Sequence, residues 1–143
     1  DRRVIGNIAE GVAKGGNYIL GIGPTPWGTI DEGAQAILHT VGDWMRKYGE
    51  AIYGTRTTPV YNDGNVWFTA SKDGKTIYAI YALKDGEELP ASIEWSGNIP
   101  AGKVTLVSND KTVNCKAKDG KVTLTLPKGL PQESFAVKFE MKN

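Results

Sequence analysis

The sequence predicts a short α/β segment followed by an all-β antiparallel sandwich. Two observations carry this prediction. Residues 1–58 show two helical patterns around one apolar run, and residues 59–143 show short runs rich in Val, Ile, Tyr, Phe and Thr. Asp-Gly pairs separate several of these runs, as is typical of turns between antiparallel strands. We therefore predict two domains, with a boundary between residues 58 and 59.

The α/β segment begins with a predicted helix and a predicted strand. Apolar residues recur every four positions in Arg2–Lys14, at Val4, Ile8 and Val12 with Ile5 alongside, which predicts one buried helical face. The next run, Asn17–Gly23, is apolar without alternation, as is typical of a parallel strand covered on both faces. Because a parallel strand must hydrogen-bond to neighbours, this run predicts partners that the rest of the segment does not supply.

The second helix, predicted over Asp31–Tyr48, has the strongest helical periodicity in the chain. Its apolar face contains Ala34, Ile37, Leu38, Val41, Trp44, Met45 and Tyr48. Thr29 is the expected N-cap, with Glu32 completing a capping box, and Gly49 is expected to end the helix.

Seven strands are predicted in the sandwich. They lie at Val66–Ala70, Thr76–Leu83, Leu89–Trp95, Lys103–Val107, Thr112–Ala117, Lys121–Leu126 and Phe135–Met141. The pairs that begin at Asp73, Asp85 and Asp119 are expected to form hairpin turns. Alternation predicts the core-facing residues, namely Leu89, Ala91, Ile93, Trp95, Val122, Leu124, Leu126, Phe135, Val137, Phe139 and Met141.

Composition excludes two classes of partner. The formal charge of +1 comes with scattered Lys and Arg residues, so the basic patch of a nucleic-acid-binding protein is missing. No apolar run approaches the roughly 20 residues that cross a bilayer, so no membrane span is expected.

The sequence starts with DRRVIGN, without an initiator Met or a signal peptide, which predicts a processed product or a piece of a longer chain. The single cysteine is typical of a bacterial protein, for which we expect a periplasmic or secreted location rather than a cytoplasmic one.

Three familiar chemical motifs are incomplete. Gly21 and Gly23 follow the apolar run, but the third glycine of a dinucleotide-binding turn is missing. His39 is the only histidine, so neither a zinc site nor a Ser-His-Asp triad can be assembled, and we expect no metal and no cofactor. Cys115 alternates with apolar residues in a predicted strand, which favours a buried, unreactive thiol.

Three further side chains lie near the end of the apolar run, where functional groups are common. Asp31 and Glu32 begin the second helix, and we interpret both as first-turn acids that the helix dipole stabilises. Trp27 lies between Pro26 and Gly28 in a loop, where local contacts do not bury it fully. Two roles remain open for Trp27: a stacking surface for a sugar, or packing against a neighbouring loop or domain.

The run GGNYILGIGPTPWGTIDEGAQAILHTVGDWMRKYGEAIYGT resembles the end of the catalytic barrel in family 29 α-L-fucosidases. In that family a strand of the type N-x-L-L-N-x-G-P leads into a helix that ends G-x-W-L-x-x-N-G-E-x-I-Y-G-T. The matching positions are Asn17, Leu20, Gly23, Pro24, Gly28, Ile30, Gly42, Trp44, Gly49, Glu50, Ile52, Tyr53, Gly54 and Thr55. Two positions depart from the family pattern, because Gly21 replaces the usual Asn and Trp27 replaces an acidic or other polar residue.

The resemblance implies an architecture. Asn17–Gly23 would be the last strand of a (β/α)₈ barrel whose earlier strands lie outside this chain, and residues 59–143 would be the β-sandwich that follows the barrel. Barrel enzymes carry their sites at the C-terminal ends of the strands, so the loop with Trp27 would face the active site. Trp27 is therefore the candidate substrate-binding residue.

The resemblance also implies an activity. The family hydrolyses terminal α-L-fucose with retention, through an Asp nucleophile and an acid/base carboxylate about 5 Å apart. No acidic residue here matches either of them, so we expect no catalytic residue in this chain and no activity from it alone. The implied partners are a fucosylated glycan and the missing N-terminal part of the barrel.

A module without catalysis is the alternative hypothesis. The sandwich would then bind carbohydrate through Trp67, Trp95 or Tyr81, or would only support the barrel. The strands that carry these aromatic residues are apolar on both faces, which favours packing in the core.

Overall fold

A computed structural model describes residues 1–141 as two helices followed by eight strands. The helices are α1, Arg2–Ala13, and α2, Glu32–Tyr48, and a single 3₁₀ turn spans Gly49–Ala51. The strands are β1 Asn62–Asp63, β2 Val66–Ala70, β3 Thr76–Tyr81, β4 Ser92–Ser96, β5 Val104–Leu106, β6 Thr112–Lys118, β7 Lys121–Thr125 and β8 Phe135–Glu140. Within residues 1–141, no helix combines the length and the apolar character that spanning a membrane requires.

Helix α1 packs on β2 through a stripe that shares only Ile5 with the predicted face. The buried residues are Ile5, Ala9 and Ala13, whereas Val4, Ile8 and Val12 are only partly buried. The two alanines allow the helix axis to approach the sheet closely, which larger side chains at these positions would prevent. The helix ends at a left-handed glycine, Gly15, with φ of 84°.

The predicted start of helix α2 is wrong in detail, and its predicted end at Gly49 is confirmed. The N-cap is Asp31, whose Oδ1 accepts a hydrogen bond from the Gly33 N–H at 2.8 Å. The Thr29 hydroxyl instead lies 2.7 Å from the hydroxyl of Thr25, so it is occupied within the preceding loop. At the other end Gly49 has φ of −60°, and the chain tightens into the 3₁₀ turn rather than reversing there.

The predicted strand Asn17–Gly23 does not form in this structure. The segment has no regular secondary structure and pairs with no strand among residues 1–141, and most of it is exposed. The Ile19 side chain is 89 % exposed. A parallel strand is stable only between neighbours that accept and donate its backbone hydrogen bonds, and the described part of the chain supplies none.

The all-β, antiparallel part of the prediction is confirmed. The eight strands form a continuous sheet in the order β1-β2-β3-β8-β5-β6-β7-β4, and every pairing is antiparallel. The short strand β1 was not predicted. Strand β4 begins at Ser92 rather than at Leu89, because Pro90 cannot donate to a ladder, and Ala91 is exposed rather than inward-facing.

The Asp-Gly turns divide into three hairpins and one crossing loop. Asp119-Gly120 is the two-residue turn between β6 and β7, with φ of 53° and 78°, as an Asp-Gly hairpin requires. Asp73-Gly74 joins β2 to β3, also as predicted. Asp63-Gly64 joins β1 to β2, a hairpin that was not predicted. Asp85-Gly86 is not a hairpin turn, because the strand that follows it pairs with β7 and not with β3.

The sheet curls until its two ends face each other. The Trp95 ring of β4 lies 5.6 Å from Phe68 of β2 and 5.9 Å from Phe139 of β8, between ring centroids. Asp63 of β1 accepts a hydrogen bond from the Ser96 backbone N–H of β4 at 2.7 Å. The nearly closed sheet therefore surrounds a core in which the predicted residues Ile93, Trp95, Val122, Leu124, Phe135, Val137 and Phe139 are all buried.

The helices share that core rather than forming a separate one. Ile5 and Ala9 of α1 and Trp44 and Tyr48 of α2 are buried in contact with the sheet residues. The Trp44 indole N–H donates to the Ser134 carbonyl at 2.8 Å, which joins α2 directly to the start of β8. Packing is therefore continuous between residues 1–58 and the sheet. The domain boundary between residues 58 and 59 stays a prediction.

Glu50, in the turn after α2, joins the helical part to the sheet. Its carboxylate accepts hydrogen bonds from the Tyr78 hydroxyl of β3 at 2.9 Å and from the Lys138 ammonium of β8 at 3.2 Å. Lys138 also lies 3.2 Å from Asp110. Burial and the hydrogen bond to Glu50 raise the pKa of Tyr78 to about 12.

We expect Tyr78→Phe to lower the free energy of unfolding by about 1.5 kcal/mol at pH 7, because a hydrogen bond to a charged acceptor is lost. A raised phenol pKa means that the folded state holds the proton more tightly than the unfolded chain does. The contribution of this hydrogen bond to the free energy of unfolding is therefore complete below pH 10 and disappears as the pH rises through about 12. Urea unfolding at pH 7 and at alkaline pH measures both effects.

The matched control for this prediction is Tyr53→Phe. Tyr53 is 69 % exposed and forms no side-chain hydrogen bond within residues 1–141, so its substitution should change the stability by less than about 0.5 kcal/mol. An equal effect of the two substitutions, or a Tyr78→Phe effect that does not shrink with rising pH, would contradict the assignment.

Candidate functional site

The loop around Trp27 is ordered by its own hydrogen bonds. The Thr25 N–H donates to the Thr29 carbonyl at 2.7 Å, and the Gly28 N–H donates to the Thr25 carbonyl at 2.9 Å. Gly28 adopts φ of 77°, a conformation that a residue with a side chain rarely adopts. The turn therefore holds Trp27 at its tip, and the indole is 89 % exposed. A rigidly presented, exposed indole offers a flat apolar surface for stacking.

Apolar side chains around this loop form an exposed surface. Its members, which we call the apolar surface, are Ile19, Leu20, Trp27, Ile30, Ile37 and Leu38. They come from the segment Asn17–Gly23, the Trp27 loop and the first half of α2. Only the second half of α2, from Val41 onwards, packs on the sheet. Of these side chains, Leu20 and Ile37 line one cleft. Exposed apolar side chains in such numbers are typical of positions that another protein segment or a ligand covers.

A small cleft shows how the segment lies between the helices. It has a volume of about 180 Å³ and is lined by Val4 of α1, Leu20 and Ile22 of the segment, and Ala34 and Ile37 of α2. The segment is thus placed beside both helices in the absence of strand partners.

The remaining candidates from the sequence do not assemble into a catalytic site. Asp31 is the N-cap of α2 rather than a first-turn residue, and Glu32 is exposed in the first turn as predicted. His39 is exposed on α2, and among residues 1–141 no group of three His, Cys, Asp or Glu side chains could hold a metal ion. Cys115 lies in β6 as predicted but is only partly buried, and this burial raises the pKa of its thiol, so the unreactive form is favoured.

The three aromatic candidates for carbohydrate binding differ in exposure. Trp95 is 1 % exposed, and its indole N–H donates to the Asn98 carbonyl at 3.2 Å, so it is a core residue. Tyr81 stacks on Phe135 with 5.5 Å between ring centroids. Trp67 is partly buried and lines an open cleft beside α1. This cleft is a feature that sequence reasoning missed, because its walls come from three distant parts of the chain.

Comparison with known proteins finds similarity to α-L-fucosidases. A family model described as alpha-L-fucosidase matches residues 1–50. Human plasma alpha-L-fucosidase is 38 % identical over 81 residues, which are 54 % of this chain and 17 % of that protein. The solved structure of Thermotoga maritima alpha-fucosidase in complex with fucose superposes with a TM-score of 0.80 and 28 % identity, over 96 % of this chain and 34 % of that one.

The chain matches a fragment of an α-L-fucosidase.

The fucosidase match confirms the resemblance carried by residues 15–55. It also reaches the sheet: alpha-L-fucosidase of Dictyostelium discoideum is 29 % identical over 134 residues, which are 89 % of this chain and 29 % of that protein. The chain therefore spans about a third or less of the length of these relatives. Because the relatives include animal, amoebal and bacterial proteins, a bacterial source stays a prediction.

Proposed function

We propose that this chain is the C-terminal part of an α-L-fucosidase that hydrolyses terminal α-L-fucose from glycans with retention. The observation that carries the proposal is the match of residues 1–50 to the fucosidase family model, together with the similarity to the Thermotoga maritima enzyme in complex with fucose. In the complete protein, residues 1–58 close a (β/α)₈ barrel and residues 59–143 support it from outside.

The state of Asn17–Gly23 supports the role in closing the barrel. The segment is exposed and unpaired within residues 1–141, although its composition is that of a covered strand. The apolar surface continues from it onto α2. Strands on both sides would take up the backbone hydrogen bonds of this segment, and their helices would cover Ile37 and Leu38.

The proposal assigns no catalytic residue to this chain. Retaining hydrolysis uses two carboxylates about 5 Å apart across the glycosidic bond, and both belong to the missing N-terminal part. This chain contributes one wall of the pocket, with Trp27 at the C-terminal end of the closing strand. No cofactor is required for this reaction.

The complete protein tests the proposal. It should release nitrophenol from an aryl α-L-fucoside, and proton spectra taken early in the reaction should show α-L-fucose as the first product, because retention preserves the anomeric configuration. Aryl β-D-galactoside and aryl α-D-mannoside are the control substrates. Absence of turnover on the fucoside, or equal turnover on a control substrate, would reject the proposal.

Trp27→Ala in the complete protein should weaken binding of the substrate by about 1–3 kcal/mol, the scale of one lost aromatic stacking contact. Trp27→Phe keeps a flat ring at the same position and should retain most of the affinity. KM and kcat on several fucosides separate binding from chemistry, provided that substrate dissociation is fast. Unchanged kinetics in Trp27→Ala would assign the ring to packing against the rest of the protein.

A further inference from the structure

The cleft beside α1 has the size of a small-ligand site. Its volume is about 360 Å³, within the range of about 300–1,000 Å³ typical of such sites. One wall is the face of α1 that carries Arg3, Asn7 and Glu10. The opposite wall comes from the β1–β2 hairpin, with Asn65 and Trp67, and from the loop after β3.

The scaffold of this cleft is held by Arg2. Its guanidinium donates to the carbonyls of Lys84 and Glu87, each at 2.9 Å, and to the Gln132 carbonyl at 3.1 Å. These bonds fix the loop after β3 against the start of α1. The floor is formed by small residues, since a Cβ at Gly6 would lie 3.9 Å from the Cβ of Ala82. The cleft is therefore a preformed feature of the packing.

The polar side chains that face the cleft are free to bind a ligand. Those of Arg3, Asn7, Asn65 and Asp85 form no hydrogen bond with any residue of the range 1–141. The comparable cleft beside Tyr53 differs in this respect. Its carboxylates are already engaged there, Asp73 by Ser71 and Lys75, and Glu50 by Tyr78 and Lys138.

Trp67 supplies an apolar platform among these polar groups. The Lys14 ammonium lies over its ring, 5.7 Å from the ring centroid, and forms a cation–π interaction with it. Lys14 does not line the cleft. The indole N–H of Trp67 forms no hydrogen bond within the described residues. An indole with planar amide and carboxylate groups around it matches a sugar ring, whose C–H face stacks and whose hydroxyls donate and accept.

Charges of both signs line the cleft, which favours a neutral ligand. The basic side chains are Arg2, Arg3 and Lys84, and the Arg2 guanidinium already donates to three carbonyls. The acidic side chains are Glu10, which is paired with Lys14 at 2.7 Å, and Asp85, so an anion or a cation would each meet like charges. We propose that this cleft binds a neutral sugar unit of a glycan, with Trp67 as the stacking platform and Asn7 and Asn65 as hydrogen-bonding groups. The site would hold the glycan by a unit other than the fucose undergoing hydrolysis, and it does not depend on the catalytic carboxylates.

Calorimetric titration of the complete protein with lactose and with 2′-fucosyllactose tests the proposal. A saturating iminocyclitol inhibitor is present throughout, so that the fucose pocket is blocked. At least one of the two sugars should bind with a Kd of about 0.1–10 mM, the range of a single-site weak interaction. Asn7→Ala and Trp67→Ala should each weaken this binding at least about fivefold, whereas Trp67→Phe should retain most of it.

Two controls make the result decisive. Tyr53→Ala removes an exposed aromatic ring from the other cleft and should leave the Kd unchanged. Asn7→Ala substitutes a better helix former in α1, so it tests the site even if Trp67→Ala fails to fold. No binding up to about 10 mM, or a Kd that neither Asn7→Ala nor Trp67→Ala changes, would overturn the proposal. Turnover of an aryl α-L-fucoside by the uninhibited protein is a separate measurement, and its failure would reject the proposed function alone.

Discussion

Trp95→Ala is expected to lower the free energy of unfolding by about 3–5 kcal/mol, which is the range measured when large aromatic side chains are removed from protein cores. Trp95 is 1 % exposed and lies at the point where the curled sheet closes. Trp95 lies on β4, the last strand in the order of the sheet. Its ring contacts Phe68 of β2, next to the first strand, and Phe139 of β8, in the middle of the sheet. Removal of the indole therefore leaves a cavity between the two ends of the sheet and also removes the donor to the Asn98 carbonyl.

Urea unfolding of the 143-residue chain, followed by far-ultraviolet circular dichroism, measures this effect. The matched control is Ser92→Ala, because Ser92 lies on the same strand with its side chain exposed, and its substitution should change the stability by less than about 0.5 kcal/mol. A total of about 5–15 kcal/mol is usual for a domain, so Trp95→Ala could leave the chain largely unfolded. A loss below about 1 kcal/mol would show that β4 does not close the sheet as described.

The isolated 143-residue chain is expected to release no nitrophenol from an aryl α-L-fucoside above background. Retaining hydrolysis needs a nucleophile and an acid/base carboxylate that face each other across the sugar. The two acids nearest the Trp27 loop do not form such a pair: Asp31 accepts the capping hydrogen bond from Gly33, and Glu32 is exposed in the next turn. We therefore expect the complete protein to accelerate hydrolysis of the aryl α-L-fucoside and the isolated chain not to accelerate it.

The assay uses the chain purified free of host glycosidases at micromolar concentration, with the complete protein as the positive control. Turnover that survives in the isolated chain and vanishes in an Asp31→Asn, Glu32→Gln variant would show that these acids are catalytic. Addition of the N-terminal part in trans should restore some activity if it covers the apolar surface. Aggregation through the unpaired segment is the competing outcome, and light scattering detects it.

Local patterns predicted those elements whose stability depends on residues a few positions apart. The hairpin turn at Asp119-Gly120 requires only that these two residues adopt left-handed conformations. In β7 and β8, apolar residues at every second position match the two-residue period with which side chains point to one face of a sheet. Thr29 shows where a local pattern was insufficient. It fits the capping box, but its hydroxyl is taken by Thr25, so Asp31 is the cap instead.

Spacing within short stretches of the sequence predicted the resemblance to α-L-fucosidases, the antiparallel strands and the position of α2. Long-range packing determines that Trp95 is buried and that Trp67 is partly exposed. Trp67 and Trp95 both lie in short apolar strands, yet Trp95 meets Phe68 and Phe139 across the closed sheet, and Trp67 faces α1 across an open cleft. The walls of that cleft come from residues 2–10, 64–67 and 82–85, and burial depends on such distant segments meeting, which no local spacing encodes.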